Sequence, residues 1–320
     1  MRRFRIPTLL LAAAVALTAC GLHEFPGDTG DSRRDFSLKL AFSDELPELQ
    51  NIAPTKAGES AKLRYTILLW RYENQTVFNV RPDYSFTFQR SSMSELDTTI
   101  FLPVNPAKYR VAGWVDWVGG EAGPGYDLTD PEHVVYPDYS SGEYVREAFT
   151  VVTDYDVDGM YAAGETYQKT VTLERPVAKL RIVAPEALTF LTMTGLDLSE
   201  MNVTLRYTMP IPEGYNILTG ATYGVRSNVT MTCKPRLDTS GELVFVSDYL
   251  FLADDNAAIT VDFTLSDTSG KDLIDYSGEV PLRDNHSTTV SFDTPYGGDE
   301  KPGGIGISPG FDDEIEVPID

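Results

Sequence analysis

The sequence predicts an all-β protein, with packed sandwiches favoured over α/β layers, and three observations predict it. Short runs alternate apolar and polar residues at period two. The runs are rich in β-branched and aromatic residues and are separated by turn-forming clusters. No stretch sustains a 3.6-residue period, and only Pro185–Leu191 and Ser94–Thr98 hint at a helical turn.

The first elements concern the compartment. Arg2, Arg3 and Arg5 precede an apolar run from Leu9 to Leu17 that is short for a permanent membrane span. A small-residue site follows, so residues 1–19 read as a secretory signal. That site, Leu17-Thr18-Ala19-Cys20, resembles the lipobox of bacterial lipoproteins, which makes Cys20 the expected lipid attachment and mature N-terminus. Several acyl chains on one cysteine anchor a protein firmly, where one holds it only marginally. Residues 20–35 carry Gly, Pro and charge without periodicity and read as a flexible tether.

The strands follow. Phe36, Leu38, Leu40 and Phe42 alternate with Ser37, Lys39 and Ala41. Leu63, Tyr65, Ile67 and Leu69 form a second series, and Tyr84, Phe86 and Phe88 a third. Each pattern predicts a half-buried strand with one face in a core. Further strands are predicted at Tyr109–Val118, Val145–Thr153, Thr166–Leu173, Val177–Ala184, Val203–Tyr207, Leu243–Tyr249, Ile259–Leu265, Ile274–Val280 and Thr288–Phe292. A boundary at Glu174-Arg175-Pro176 divides the chain into 36–175 and 176–320, each the size of an ordinary sandwich. No sequence repeat relates the two parts. The end of the chain, Gly306 to Ile319, alternates apolar and acidic residues and reads either as the closing strand of its own domain or as a donor strand.

Two segments are candidate sites. Trp114 and Trp117 lie three apart on one predicted strand and so face opposite sides, one toward a core and the other toward a surface able to stack on a sugar or partner. The following segment, Gly119–Tyr144, is rich in Gly, Pro, Asp and Tyr, including Tyr126, Tyr136 and Tyr139. A long segment of this composition is either a ligand- or partner-binding loop or a domain-packing loop. The second site is Asp154-Tyr155-Asp156-Val157-Asp158-Gly159, continuing through Met160 to Glu165, which fits D-x-[DN]-x-[DN]-G-x₅-E. Asp154, Asp156, Asp158, the Met160 carbonyl and Glu165 would converge on one calcium ion of structural role. The flanks read as strands, not helices, and a solvated acidic hairpin is the other reading.

Charge and motif content exclude several classes. The chain carries a formal charge of -22, and the leader to be removed holds arginines but no acids, so nucleic acid is not a partner. With Cys20 lipidated, Cys233 stands alone and reads as a small buried hydrophobe. Gly306-Ile307-Ser308-Pro309-Gly310 matches G-x-S-x-G, but all three histidines precede Ser308, against the order a nucleophile elbow needs. No enzyme is expected and no cofactor is required; a structural calcium is the one candidate.

Three segments then carry a family resemblance: Tyr109-Arg110-Val111-Ala112-Gly113-Trp114-Val115-Asp116-Trp117-Val118; Leu173-Glu174-Arg175-Pro176-Val177-Ala178-Lys179-Leu180-Arg181-Ile182; and Val280-Pro281-Leu282-Arg283-Asp284-Asn285-His286-Ser287-Thr288-Thr289-Val290 with the Gly-rich acidic tail. In order and spacing these resemble the anchor and accessory lipoproteins of the fimbrillin superfamily. The resemblance implies two tandem transthyretin-like β-sandwiches, an outer-membrane, surface-exposed location and strand exchange with other fimbrial subunits. It also implies that shaft subunits lose an N-terminal segment after an arginine, and Arg33-Arg34 lies where that cut would fall or is simply a basic pair in the tether. A lipoprotein that binds glycan or another surface ligand through the aromatic loop is the alternative.

Overall fold

The computed structural model describes residues 34–42, 61–73, 81–90, 98–156 without 106, 121–122, 138 and 140–145, 167–295 without 239 and 255, 304–309 and 316–317. The first sandwich begins with β1 (Arg34–Phe42), β2 (Lys62–Arg71), β3 (Tyr84–Arg90), β4 (Thr98–Val104) and β5 (Lys108–Val118). After a short β6 (Val134–Val135) it ends with β7 (Ala148–Asp156) and β8 (Tyr167–Leu173). One sheet has the order β4-β1-β8, with β1 antiparallel to β4 and parallel to β8. The other, β3-β2-β5-β7, is antiparallel. Phe36, Leu38 and Leu40 of β1 meet Leu63, Tyr65, Ile67 and Leu69 of β2 in the first core. Period two aims those side chains at one face, and burying them is what makes the sheets stack.

The second sandwich opens with β9 (Ala178–Ala184), one helix, α1 (Ala187–Thr194), and β10 (Met201–Tyr207). It continues through β11 (Ile211–Asn216), β12 (Ala221–Arg226), β13 (Thr230–Cys233), β14 (Arg236–Leu237), β15 (Leu243–Leu250), β16 (Asn256–Asp267), β17 (Asp272–Arg283) and β18 (His286–Ser291). Strands β19 (Gly304–Pro309) and β20 (Glu316–Val317) complete it. Its sheets have the orders β14-β15-β9-β18-β19-β20 and β13-β10-β16-β17. The chain is thus all-β with two sandwiches in tandem, as the sequence predicts.

The two sandwiches share one plan, which the sequence does not disclose. In each, the first strand lies parallel to a late one, β1 to β8 and β9 to β18, and antiparallel to β4 or β15 on its other side. The opposing sheets, β3-β2-β5-β7 and β13-β10-β16-β17, follow the same chain order. Besides β19 and β20, which extend the sheet of the second sandwich, two insertions among the described residues depart from this plan. The first sandwich has a long excursion containing β6 between β5 and β7, where the second makes a tight turn from β16 to β17. The second has the hairpin β11–β12, where the first passes from β2 to β3. The insertions pair with each other in a third sheet, β12-β11-β6.

One strand expectation is corrected by this arrangement. Alternation gives β2 one exposed face and the Trp114/Trp117 spacing gives β5 one surface tryptophan, yet most residues of both strands are buried. Tyr109, Val111, Val115 and Trp117 enter the first core, whereas Ala112 and Trp114, on the opposite face, join the second with Leu68 and Trp70. The sheet β3-β2-β5-β7 therefore lies between two cores. The helical hint at Pro185–Leu191 corresponds to α1, closed by Gly195 in the left-handed region (φ 65). Residues 94–97 of the other hint lie outside the described residues, and Thr98 opens β4. The C-terminal segment pairs antiparallel with β18 from Ser291↔Gly304 to His286↔Pro309, the closing role of the two read from the sequence.

Candidate functional site

The long segment after β5 is fastened where it starts. Asp116 faces away from the first core, and its carboxylate accepts from Arg64 Nε (2.9 Å) and Arg64 NH2 (2.6 Å). It also accepts from the Tyr126 amide (2.7 Å), while the same Arg64 NH2 donates to the Tyr126 carbonyl (2.6 Å). Gly125 permits this approach. Its φ is +74°, and a Cβ there would lie 2.4 Å from Val118 Cγ1 and 2.9 Å from Asp116 Oδ2. Burial pushes the Asp116 carboxyl above its usual range, against the opposing pull of Arg64 and the Tyr126 amide.

The aromatic residues of this segment point inward. Trp114 meets the edge of Tyr126 at 5.2 Å, Tyr126 meets Tyr136 at 5.2 Å, and Tyr136 meets Tyr139 at 6.0 Å. From the second sandwich, Tyr215 and Phe251 close on Trp114 at 6.0 and 6.5 Å. Trp114, Tyr126, Tyr136 and Tyr139 are at most 6% exposed, and Trp117 is equally buried in the first core. This corrects the expectation that Trp114, Trp117, Tyr126, Tyr136 and Tyr139 form a ligand- or partner-contact surface. The two tryptophans face opposite sides, as strand alternation requires. The second sandwich covers the side that a single sandwich would leave open, so the segment packs the halves together.

Buried charge accompanies the rings. The Arg146 guanidinium pairs with Asp248 of β15, both 1% exposed, and lies 5.2 and 4.7 Å from the ring centres of Tyr136 and Tyr139. The Tyr207 hydroxyl donates to the other Asp248 oxygen, and the Tyr249 amide donates to Oδ1 at 2.8 Å. Burial, then the Asp248 charge, pushes the Tyr207 hydroxyl well above its usual range, so it remains a donor. Next in the chain, Glu147 accepts from Arg175 Nε at 2.8 Å, again with both groups buried, and Arg175 lies 4.9 Å from the Phe149 ring centre. Arg146, Glu147 and Asp248 lie outside the residues that the sequence nominates. The signal was a lone acid inside the apolar run Leu243–Leu252 and a charged pair just before a strand, since a buried charge requires a partner. Of these pairs, Arg146–Asp248 ties one half to the other.

The remaining candidates divide. Cys20 lies outside the described residues, as do Asp158, Met160 and Glu165. Asp154 and Asp156 belong to β7, opposite Arg110 and Lys108 of β5. Asp154 accepts from Arg110 Nε (2.9 Å) and the Tyr72 hydroxyl (2.5 Å). The Arg110 contact holds its carboxyl below the usual range. The first expected calcium ligand is thus already engaged by a cation, and no group of three metal-ligating side chains occurs among the described residues. Ser308 lies within β19 opposite Ser287, on extended strand backbone and not at a strand-to-helix turn. Cys233 is half-buried, its Sγ 3.2 Å from the Phe245 carbonyl.

The model of a family of unknown function, DUF6562, matches residues 32–320. The chain belongs to DUF6562. No curated protein matches this DUF6562 chain. Among solved structures it is similar to a proposed polysaccharide-binding protein (DUF1812) from Bacteroides thetaiotaomicron, with TM-score 0.48, 10% identity, and coverage of 89% of this chain and 98% of that one. It is also similar to the fimbrial anchor protein Mfa2 from Porphyromonas gingivalis, with TM-score 0.42, 8% identity and coverage of 89% and 100%. A fimbrial assembly protein from Parabacteroides distasonis aligns with TM-score 0.39, 11% identity and coverage of 89% and 99%. Among the described residues, no helix is long and apolar enough to cross a membrane.

Proposed function

We propose that this DUF6562 chain is a lipid-anchored protein of the bacterial outer-membrane surface that acts as a fimbrial anchor or accessory subunit. The observation that carries the reading is the placement of β1. The tether from Cys20 runs directly into this strand, which is the central member of its sheet, and Phe36, Leu38 and Leu40 are fully buried. Tension along the tether is therefore shared between two ladders, β1–β4 and β1–β8, instead of peeling an edge strand away. Arg34 is already part of β1, so a cut after Arg33-Arg34 would free the chain from its lipid and leave most of the strand in place. Keeping that link intact is what an anchor requires. The division into 36–175 and 176–320 belongs to this proposal, as does strand exchange with other fimbrial subunits, a recognition mode suited to sheet proteins. The burial of the aromatic segment supports an internal role for it over glycan capture.

Lipid labelling and crosslinking on intact cells test the proposal. Wild type should be lipid-labelled, fractionate with membranes and crosslink to fimbrial subunits, whereas Cys20→Ala should be released or remain an unprocessed precursor. A Cys20→Ala protein as membrane-bound and lipid-labelled as wild type would remove the anchor. Crosslinks confined to outer-membrane sugar importers would remove the fimbrial role.

A further inference from the structure

One insertion in each sandwich, absent from the other, pairs with its counterpart across the molecule. β6 pairs with β11 at Tyr215↔Val134 and Gly214↔Val135, and the Ile217 amide at the hairpin turn donates to the Pro131 carbonyl at 2.9 Å. Side chains cross in both directions: the Tyr223 ring meets His133 at 4.7 Å, and the Arg226 guanidinium lies 4.6 Å from the Tyr139 ring centre. Arg146, at the end of the first insertion, reaches Asp248 in the body of the second sandwich. None of these contacts serves the sandwich that supplies it.

We infer that the two insertions form a clasp that makes the sandwiches one cooperative unit with a fixed mutual orientation. Two independent sandwiches joined by a short link would flex about it, as domains with small polar contacts do. Here the shared layer is apolar and aromatic, it holds the buried Arg146–Asp248 pair, and its backbone groups are joined in a sheet. A charge desolvated in such a pair is costly to leave alone, so opening the clasp is opposed by Arg146 and Asp248 together. Opening also exposes the outer face of β2 and β5, with Trp70 and Trp114, which belongs to the second core. One half therefore does not unfold without uncovering the core of the other. In a tethered surface protein, such a unit transmits force from one end to the other without a hinge.

Gly214 allows a specific test. A Cβ at this position would lie 2.3 Å from the Val134 carbonyl oxygen and 2.5 Å from Tyr223 Cε1, so Gly214→Val drives β6 from β11. Valine itself favours strand backbone, so the substitution acts through these two contacts and not through propensity. Val225→Ala, on the same hairpin but 71% exposed, serves as control. Calorimetry of the purified full chain should give one transition for wild type and for Val225→Ala. Gly214→Val should split it, with the earlier transition at least ~5 °C lower. Hydrogen exchange of wild type should show amides of β5 and β9 opening together. Two transitions in wild type, different opening free energies for β5 and β9, or a Gly214→Val protein with a single transition at the wild-type midpoint would each overturn the inference. If Gly214→Val does not fold, the wild-type exchange result decides alone.

Discussion

Replacing Asp116 tests how the aromatic segment is held. Its side chain is 1% exposed and accepts three hydrogen bonds, two from Arg64 and one from the Tyr126 amide. Asp116→Ala removes all three. The Arg64 side chain is 19% exposed and regains some hydration, so its loss is partial. The Tyr126 amide has no such recourse, and a buried donor left unpaired costs ~1–3 kcal/mol. Adding the broken ion pair brings the expected cost to ~3–5 kcal/mol, the usual range for removing one member of a buried pair. Asp116→Asn keeps an acceptor of the same shape and should cost ~1–2 kcal/mol. Urea unfolding reads both: with a slope near ~3 kcal/mol per molar, Asp116→Ala should lower the midpoint by about 1 M or more at unchanged slope. The pH dependence follows from the raised carboxyl. A group that binds its proton more tightly when folded contributes most below its unfolded value, about pH 4, and loses that contribution as pH rises through its folded value. The gap between wild type and Asp116→Asn should therefore narrow as pH rises through that window. A cost below about 1 kcal/mol for Asp116→Ala, or an equal cost for Ala and Asn, would refute this account of the site.

Two further perturbations address other elements. Deleting Gly306–Asp320 removes four of the six residue pairs between β18 and β19 and leaves most of β18 as a sheet edge, so the melting temperature should fall and concentration-dependent association should rise in light scattering; unchanged melting and unchanged size would show that β19 supports neither its own sandwich nor a partner. Asp154→Ala breaks a partly exposed pair with Arg110, so thermal unfolding should register at most ~1 kcal/mol, the same in millimolar calcium as in chelator. A calcium-dependent difference would return Asp154 to a metal shell.

Most strands were legible along the chain, with one core-seeking side of each, because period-two alternation is a local property of the backbone; the second buried face of β2 and β5 was not. Phe36, Leu38 and Leu40 announced β1, and the segments from Ala178 to Ala184 and from Leu243 to Leu250 announced β9 and β15 within a few residues. β11 and β12 went unseen because Pro212, Gly214 and Gly224 break the pattern, and they form strands only through pairing with each other and with β6. The common plan of the two sandwiches was invisible for a related reason. A sheet order depends on which strands pair, and many apolar sequences satisfy the same pairing. The fate of the aromatic segment was decided entirely in three dimensions. Trp114, Tyr126 and Tyr136 have the composition of a binding surface, and only the second sandwich on the outer face of β2 and β5 makes them interior. Arg146 and Asp248, about a hundred residues apart in the chain, show the same limit: each is locally a charge in apolar surroundings, and folding alone supplies the partner that makes its burial tolerable.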